Sequence, residues 1–239
     1  MRARAAPNQK IFAQECDVSK PSEVSEFVAA AISALGTIQV LVNNAGIYGP
    51  KGSIENIDFE EWKRAVEINL YGVFHFCRTL VPHLKSLGRG KIINHSGGGA
   101  TSPLSFISAY AASKAAVERL TETLAGELRD HHIDVNAVAP GALNTRLLDE
   151  VLAAGSNAVG DAFYQKAIMQ KQTGGISPSL GAGLFVWLAS SASDGISGKL
   201  LSAQWDPWME LAERTDLLAK SDIYTLRRIV PGNRGQKWG

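Results

Sequence analysis

Glycine is missing from the first 35 residues of this 239-residue chain; all 23 glycines lie at or after Gly36. That stretch therefore contains no glycine-rich turn of the kind that cradles phosphate groups. Cysteine is almost absent too. Cys16 and Cys77 do not make a disulfide framework, and such isolated cysteines are usually small core residues. No apolar run reaches the ~18 residues needed to cross a bilayer. Arg2 and Arg4 near the start are not followed by the apolar stretch of a secretory signal, so the default location is cytoplasmic. Charge of one sign is also lacking. A formal net charge of +1 gives no reason to expect nucleic acid or an anionic membrane as partner. The adjacent pair His131-His132 has no cysteine or carboxylate cluster around it, so no metal is expected.

What is present is an ordinary globular composition, 45% hydrophobic and 20% charged, of a length that suggests one domain. Strand-like and helix-like segments alternate. Ile11–Glu15 reads as a short strand leading to Cys16-Asp17-Val18. Pro21 opens a helix running to about Leu35, with Val24, Phe27, Val28 and Ala31 on one face, and Gly36 stops it. Ile38–Val42 is a buried strand that runs into Asn43-Asn44-Ala45-Gly46. Asp58 and Glu61 form a capping-box pattern at the head of a long helix reaching about Leu84. Lys91–Asn94 is the next strand, before the loose Gly97-Gly98-Gly99. Ser108–Asp130 is helical, and Ile133–Val138 is a strand meeting Pro140-Gly141. The segment 145–177 is polar and glycine-spotted, with weakly specified order. Leu180–Ala189 is helical and Lys199–Ala203 is a last strand. Strands alternating with helices predict a parallel sheet covered on both faces, with ligands beyond the carboxyl ends of the strands.

The chemistry concentrates at Tyr110-x-x-x-Lys114. Residues four apart share a helix face. An ammonium beside a phenol favours the phenolate and lowers the tyrosine pKa from about 10, which lets it exchange a proton with an alcohol or ketone near neutral pH. Alone, such a pair is most often a surface tyrosine and a solvated lysine. Here it stands in Tyr110-Ala-Ala-Ser-Lys114 after a strand and a loop. Asn43-Asn44-Ala45-Gly46 and Asn69 lie upstream, and Asn136-Ala-Val-Ala-Pro140-Gly141 lies downstream.

In order and spacing, these blocks resemble the short-chain dehydrogenase/reductase family over roughly residues 11–203. The resemblance implies a Rossmann-like, doubly wound α/β fold and hydride transfer between NAD or NADP and a secondary alcohol or ketone. It makes Tyr110 the acid/base and Lys114 the residue that lowers its pKa and bonds the nicotinamide ribose. Asn69 would hold a relay water, and Ser96 would be the catalytic serine if the glycine loop brings it to the substrate oxygen; if it points away, a backbone amide or another loop donor takes that role. Asp17 and Val18 would contact adenine; Asn43, Ala45 and Gly46 would line the adenine-ribose side. Pro140, Gly141 and Thr145 would meet the nicotinamide carboxamide. The two long helices, 58–84 and 108–130, resemble those that pair subunits in the family, so a homo-dimer or tetramer is expected.

Three departures qualify the resemblance. The family's first two strands and its glycine-rich loop have no counterpart, so the expectation is a truncated domain. It consists of a remnant at 1–10, a core at 11–203 and a tryptophan-containing tail at 204–239. The family's serine falls about thirteen residues before the tyrosine, at Gly97, and Ser96 stands one position early. Trp205, Trp208 and Trp238 mark a tail of uncertain purpose, suited to capping the site or meeting a partner subunit. Two alternatives follow: an inactive chain acting only through subunit association, or an epimerase or dehydratase on the same fold.

Overall fold

The computed structural model describes residue 6 and residues 8–238. Four strands, β1 (Val40–Asn43), β2 (Gly90–His95), β3 (Ile133–Ala139) and β4 (Leu200–Ser202), form one parallel sheet in the order β1-β2-β3-β4. In register, Val40 faces Lys91, Ile92 faces Val135 and Ala137 faces Leu200. Parallel neighbours need crossover connections, and helices supply them. Side chains alternate across the sheet. Ile92 packs with Val24 and Val28 of α1 (Pro21–Leu35), Val73 and Leu84 of α3 (Gly72–Leu87), and Val117 and Leu128 of α4 (Ser108–Leu128). Ile93 turns the other way, onto Leu184 and Leu188 of α8 (Pro178–Ala189). Both faces are covered, as the alternation of segments predicts.

Helix ends follow local chemistry. Pro21 sits at the first turn of α1, and Gly36 ends it at φ 85, a conformation that costs glycine little. Asp58 caps α2 (Phe59–Val66) by accepting from the Glu61 amide at 2.8 Å. The predicted continuous helix over 58–84 is interrupted. Glu67–Tyr71 forms a π-turn between α2 and α3, and Asn69 lies within it, fully buried.

The expected strand at Ile11–Glu15 does not form. A strand needs a hydrogen-bonding neighbour, and this segment is held by side chains instead. Phe12 packs on Phe27 at 5.7 Å, Cys16 sits against the core, and Asp17 pairs with Arg64. The polar segment after Thr145 is more ordered than its sequence suggests. It folds into α5 (Arg146–Ala154), α6 (Ser156–Val159) and α7 (Asp161–Thr173) around a small core of Leu148, Val151, Val159 and Ala167.

The tail covers the outer edge of β4. The Leu200 amide donates to the Tyr224 carbonyl at 2.9 Å, and buried Lys199 donates to the carbonyls of Ser221 and Ile223. Trp208 packs on Trp187 at 5.8 Å, while Trp205 and Trp238 are exposed. Arg227 is taken up by Asp222 and Asn233 within the tail. Among the described residues, no helix is long and apolar enough to cross a membrane.

Candidate active site

The carboxyl ends of β1, β2 and β3 deliver Asn43, His95-Ser96-Gly97 and Pro140-Gly141 to one side of the sheet. The first turns of α4 add Tyr110 and Lys114, both buried. The Lys114 ammonium donates to the His95 carbonyl at 2.6 Å and lies 5.7 Å from the centre of the Tyr110 ring. Burial lowers the Lys114 pKa to about 8. It also pushes His95 down to about 4, with the Lys114 charge adding to the effect, so this imidazole is neutral. The expectation that Lys114 lowers the Tyr110 pKa is corrected here. Burial, and secondarily Tyr48, raises the phenol above the ordinary tyrosine range.

The Tyr110 hydroxyl rests against Gly97. A Cβ at position 97 would stand 2.2 Å from it, although Gly97 itself is extended backbone. Ser96 is placed differently. Its amide donates to the Val138 carbonyl at 2.8 Å, so the ladder persists one residue past β2. Its hydroxyl is fully buried and has no hydrogen-bond partner. Side chains along a strand alternate, so a one-residue offset separates Ser96 from the position that meets Tyr110. The expected catalytic serine thus makes no bond to Tyr110.

Asn69 reaches the site through its π-turn. Its amide accepts from the Ile47 N–H at 2.9 Å and donates to the Ile47 carbonyl at 2.9 Å and to Ser113 Oγ at 3.0 Å. Ser113 in turn donates to the Tyr110 carbonyl. Gly46 fits between Asn69 and Lys114, since a Cβ there would lie 3.3 Å from Asn69 Oδ1 and 3.7 Å from Lys114 Nζ. The structure therefore brings Gly46, Asn69, Tyr110 and Lys114 together. Both Asn69 N–H donors are engaged by protein, which leaves the side chain a staple for the 46–47 loop.

Val18, Asn43 and Ala45 share a groove of about 290 Å³ with Phe27, Val42 and Gly72. The Asn43 amide donates to Asn94 Oδ1 at 2.8 Å, and Asn94 donates onward to Thr121 of α4. Asp17 accepts from Arg64 at 2.9 Å and from Ser19, bonds that hold its carboxyl well below the usual range. Pro140 packs on Gly181 of α8. Gly141, at φ 98, lies under Ile176, and Thr145 precedes α5. These positions fit the two ends of a dinucleotide: an apolar slot by Val18 and Ala45, and a lysine–tyrosine pair by Gly46. Among the described residues, no glycine cradle for a pyrophosphate stands between them. A cavity of about 1160 Å³ lies at the opposite end of the sheet, along Val40, Gly90, Ile133 and Lys199 at the amino ends of the strands.

Sequence reasoning missed Tyr48. Its ring meets Tyr110 edge to face, with centroids 4.7 Å apart at 74°. Lys51 lies 5.7 Å from the Tyr48 ring and pairs with Glu150 of α5. An aromatic two residues after Asn43-Asn44-Ala45-Gly46 was the available signal.

A family profile described as short chain dehydrogenase matches residues 2–155. The 3beta-hydroxysteroid dehydrogenase 1 of Eggerthella lenta is 38% identical over 190 residues, covering 79% of this chain and 70% of the relative. The 7alpha-hydroxysteroid dehydrogenase of Escherichia coli K12 is 32% identical over 203 residues, 84% of this chain and 75% of the relative. Among solved structures, a 7 alpha-hydroxysteroid dehydrogenase complexed with NADH and 7-oxo glycochenodeoxycholic acid aligns with a TM-score of 0.69 and 31% identity, over 80% of this chain and 72% of that one. A gluconate 5-dehydrogenase from Burkholderia cenocepacia in complex with NADP and tartrate aligns at 0.68 and 29%, over 78% and 71%. The chain belongs to the short-chain dehydrogenase/reductase family, whose members are NAD(P)-dependent oxidoreductases acting on alcohols and ketones.

Proposed function

We propose that Tyr110 is the proton donor and acceptor in the interconversion of a secondary alcohol and a ketone. The observation that carries this reading is the burial of Tyr110 and Lys114 side by side, one turn apart on α4, at the carboxyl end of β2. NAD or NADP, when bound, supplies or takes up the hydride. Lys114, Pro140, Gly141 and Thr145 are assigned to its nicotinamide end, and with them Gly46, which stands against Lys114 rather than on the adenine-ribose side where the resemblance puts it. Val18 and Ala45 line the slot for its adenine end, with Asp17 and Asn43 bracing that slot through Arg64 and Asn94.

Burial keeps the Tyr110 phenol protonated, the form that gives its proton to a carbonyl oxygen as the alcohol forms. Lys114, with a pKa of about 8, is mostly an ammonium at neutral pH and offsets the charge left on the phenolate. Asn69 ties the 46–47 loop beside this pair, and its amide N–H donors are committed to protein rather than to a relay water. Ser96, buried and unbonded, is assigned to the strand end and not to the substrate. Exposed Phe59, Tyr71 and Phe74 along α2 and α3 support subunit pairing through these helices. The named relatives are dehydrogenases, which favours net redox turnover over an internal epimerase cycle.

The test is Tyr110→Phe, which keeps the ring and removes the hydroxyl. The rate of NAD(P)-coupled ketone reduction is expected to fall about 10²–10⁴-fold, the range for a general acid. Activity within a few-fold of the parent sinks the assignment.

A further inference from the structure

Beside Tyr110 stands a group of residues that the proton chemistry does not use. Tyr48 covers the Tyr110 ring, and its other contacts are with the small core of α5, α6 and α7. Lys51 lies 5.7 Å from the Tyr48 ring centre, with a side chain only 14% exposed. A lysine so sheltered normally has close partners, because removing an ammonium from water is costly. The partners of Lys51 are loose. The Gly49 carbonyl is at 3.4 Å and the Glu150 carboxylate at 3.5 Å, both beyond the 2.7–2.9 Å of a good charge-assisted bond. Glu150 is itself divided, since Arg146 approaches it from the solvent side at 3.6 Å. The site thus holds a sheltered cation, an aromatic wall and a carboxylate that sits near the cation without engaging it tightly.

We propose that Lys51 is the receptor for a carboxylate on the substrate, with Tyr48 as the wall between it and Tyr110, and that Glu150 occupies the place beside Lys51 that this carboxylate would take. The substrate class is a hydroxy or oxo acid whose acid group is several atoms from the reacting carbon. Entry of the acid breaks the loose Lys51–Glu150 pair, and that pair anchors α5 over Tyr48. The substrate then exchanges one carboxylate for another, so the sheltered ammonium is never left without a counter-charge. Neutral alcohols of the same shape have nothing to offer Lys51 and must compete with Glu150 unaided.

The inference rests on Tyr110 marking the substrate site, and binding without turnover separates the two. The probes are 5-hydroxyhexanoate and its uncharged amide, titrated into the full chain by ligand-detected NMR. The acid is expected to bind at least about fivefold more tightly than the amide. Lys51→Gln should abolish that preference with the circular dichroism spectrum unchanged. Glu150→Gln, which removes the competing carboxylate and leaves Lys51 in place, should strengthen acid binding several-fold. Equal binding of acid and amide, no binding of the acid, or a preference that survives Lys51→Gln overturns the proposal. Tyr110→Phe should leave the acid preference intact. A chain that reduces neutral ketones through Tyr110 but ignores the acid group would therefore refute the Lys51 assignment alone.

Discussion

Replacing Gly97 with alanine puts a methyl group where the Tyr110 hydroxyl now sits. The backbone does not object, because φ −178 and ψ 178 suit any residue. The obstacle is space. The new carbon would be 2.2 Å from the hydroxyl oxygen, so relief requires the oxygen to retreat by about 1 Å to reach ordinary contact. Tyr110 is poorly free to do so, since Tyr48 packs on its ring at 4.7 Å and the residue is buried. Overpacking of this kind costs about 1–3 kcal/mol. Tyr110→Phe deletes the clashing oxygen, and the next atom, Cζ, is 3.2 Å away, a tight contact that a small adjustment relieves. The alanine also restricts the unfolded chain, a gain of roughly 0.4–1 kcal/mol that is equal in both backgrounds and cancels. A double-mutant cycle of Gly97→Ala and Tyr110→Phe, read by urea unfolding, should therefore show a coupling of about 1–2 kcal/mol. If Gly97→Ala costs the same with and without the hydroxyl, to within about 0.5 kcal/mol, the contact described here is wrong. Gly97→Ser carries the same Cβ and should behave like alanine, so restoring the family's serine should not rescue activity.

Glu118 is fully buried on α4 with neither carboxylate oxygen bonded, and burial, then Glu122, raises its pKa to about 8. Because the folded state holds this proton more tightly, the contribution of Glu118 to stability is complete below its ordinary value of 4.5 and is lost as pH rises towards 8. Glu118→Gln should flatten that decline and raise stability at pH 8 by about 1–3 kcal/mol in thermal melts; an unchanged slope between pH 5 and 8 counts against it. Lys199→Met leaves the Ser221 and Ile223 carbonyls without their donor, so it should cost about 1–3 kcal/mol and expose the tail to proteolysis before the core. Tail cleavage at the parent rate would show that Lys199 does not hold it.

The sheet was largely legible because β1, β2 and β3 each carry a short apolar stretch, Val40–Val42, Ile92-Ile93 and Ala137–Ala139, between turn and helix signals. The ends of α1 were legible because Pro21 and Gly36 act locally. The π-turn was not, since 67–71 contains neither proline nor glycine and the turn accompanies Asn69 bonds to Ile47 and Ser113, 22 and 44 residues away. Ile11–Glu15 has the composition of a strand, but composition cannot supply the neighbour a strand needs. The order of 145–177 depends on Tyr48, which arrives from a distant loop. The gathering of Gly46, Asn69, Tyr110 and Lys114 followed from motif spacing. The contact between Gly97 and the Tyr110 hydroxyl did not, because it depends on which side of one strand a single residue falls.

Between 221 and 226 the tail is hydrogen-bonded to the body of the protein mainly through its main chain. The carbonyls of Ser221, Ile223 and Tyr224 accept from Lys199 and the Leu200 amide, and the Leu226 backbone is held by Glu122 and Arg119. Every residue type offers the same carbonyl, so these bonds place little demand on the side chains of 221–226, apart from Tyr224 on the core and Asp222 on Arg227. The demand falls instead on Lys199, Arg119 and Glu122 in the body of the protein, and on Tyr224, which adopts φ 60 at a position that glycine or asparagine fills more easily. Sequences descended from this one should therefore keep those three anchors while the strap drifts, with glycine or asparagine recurring at 224. An alignment would score such a tail as unrelated where the path of the chain is preserved.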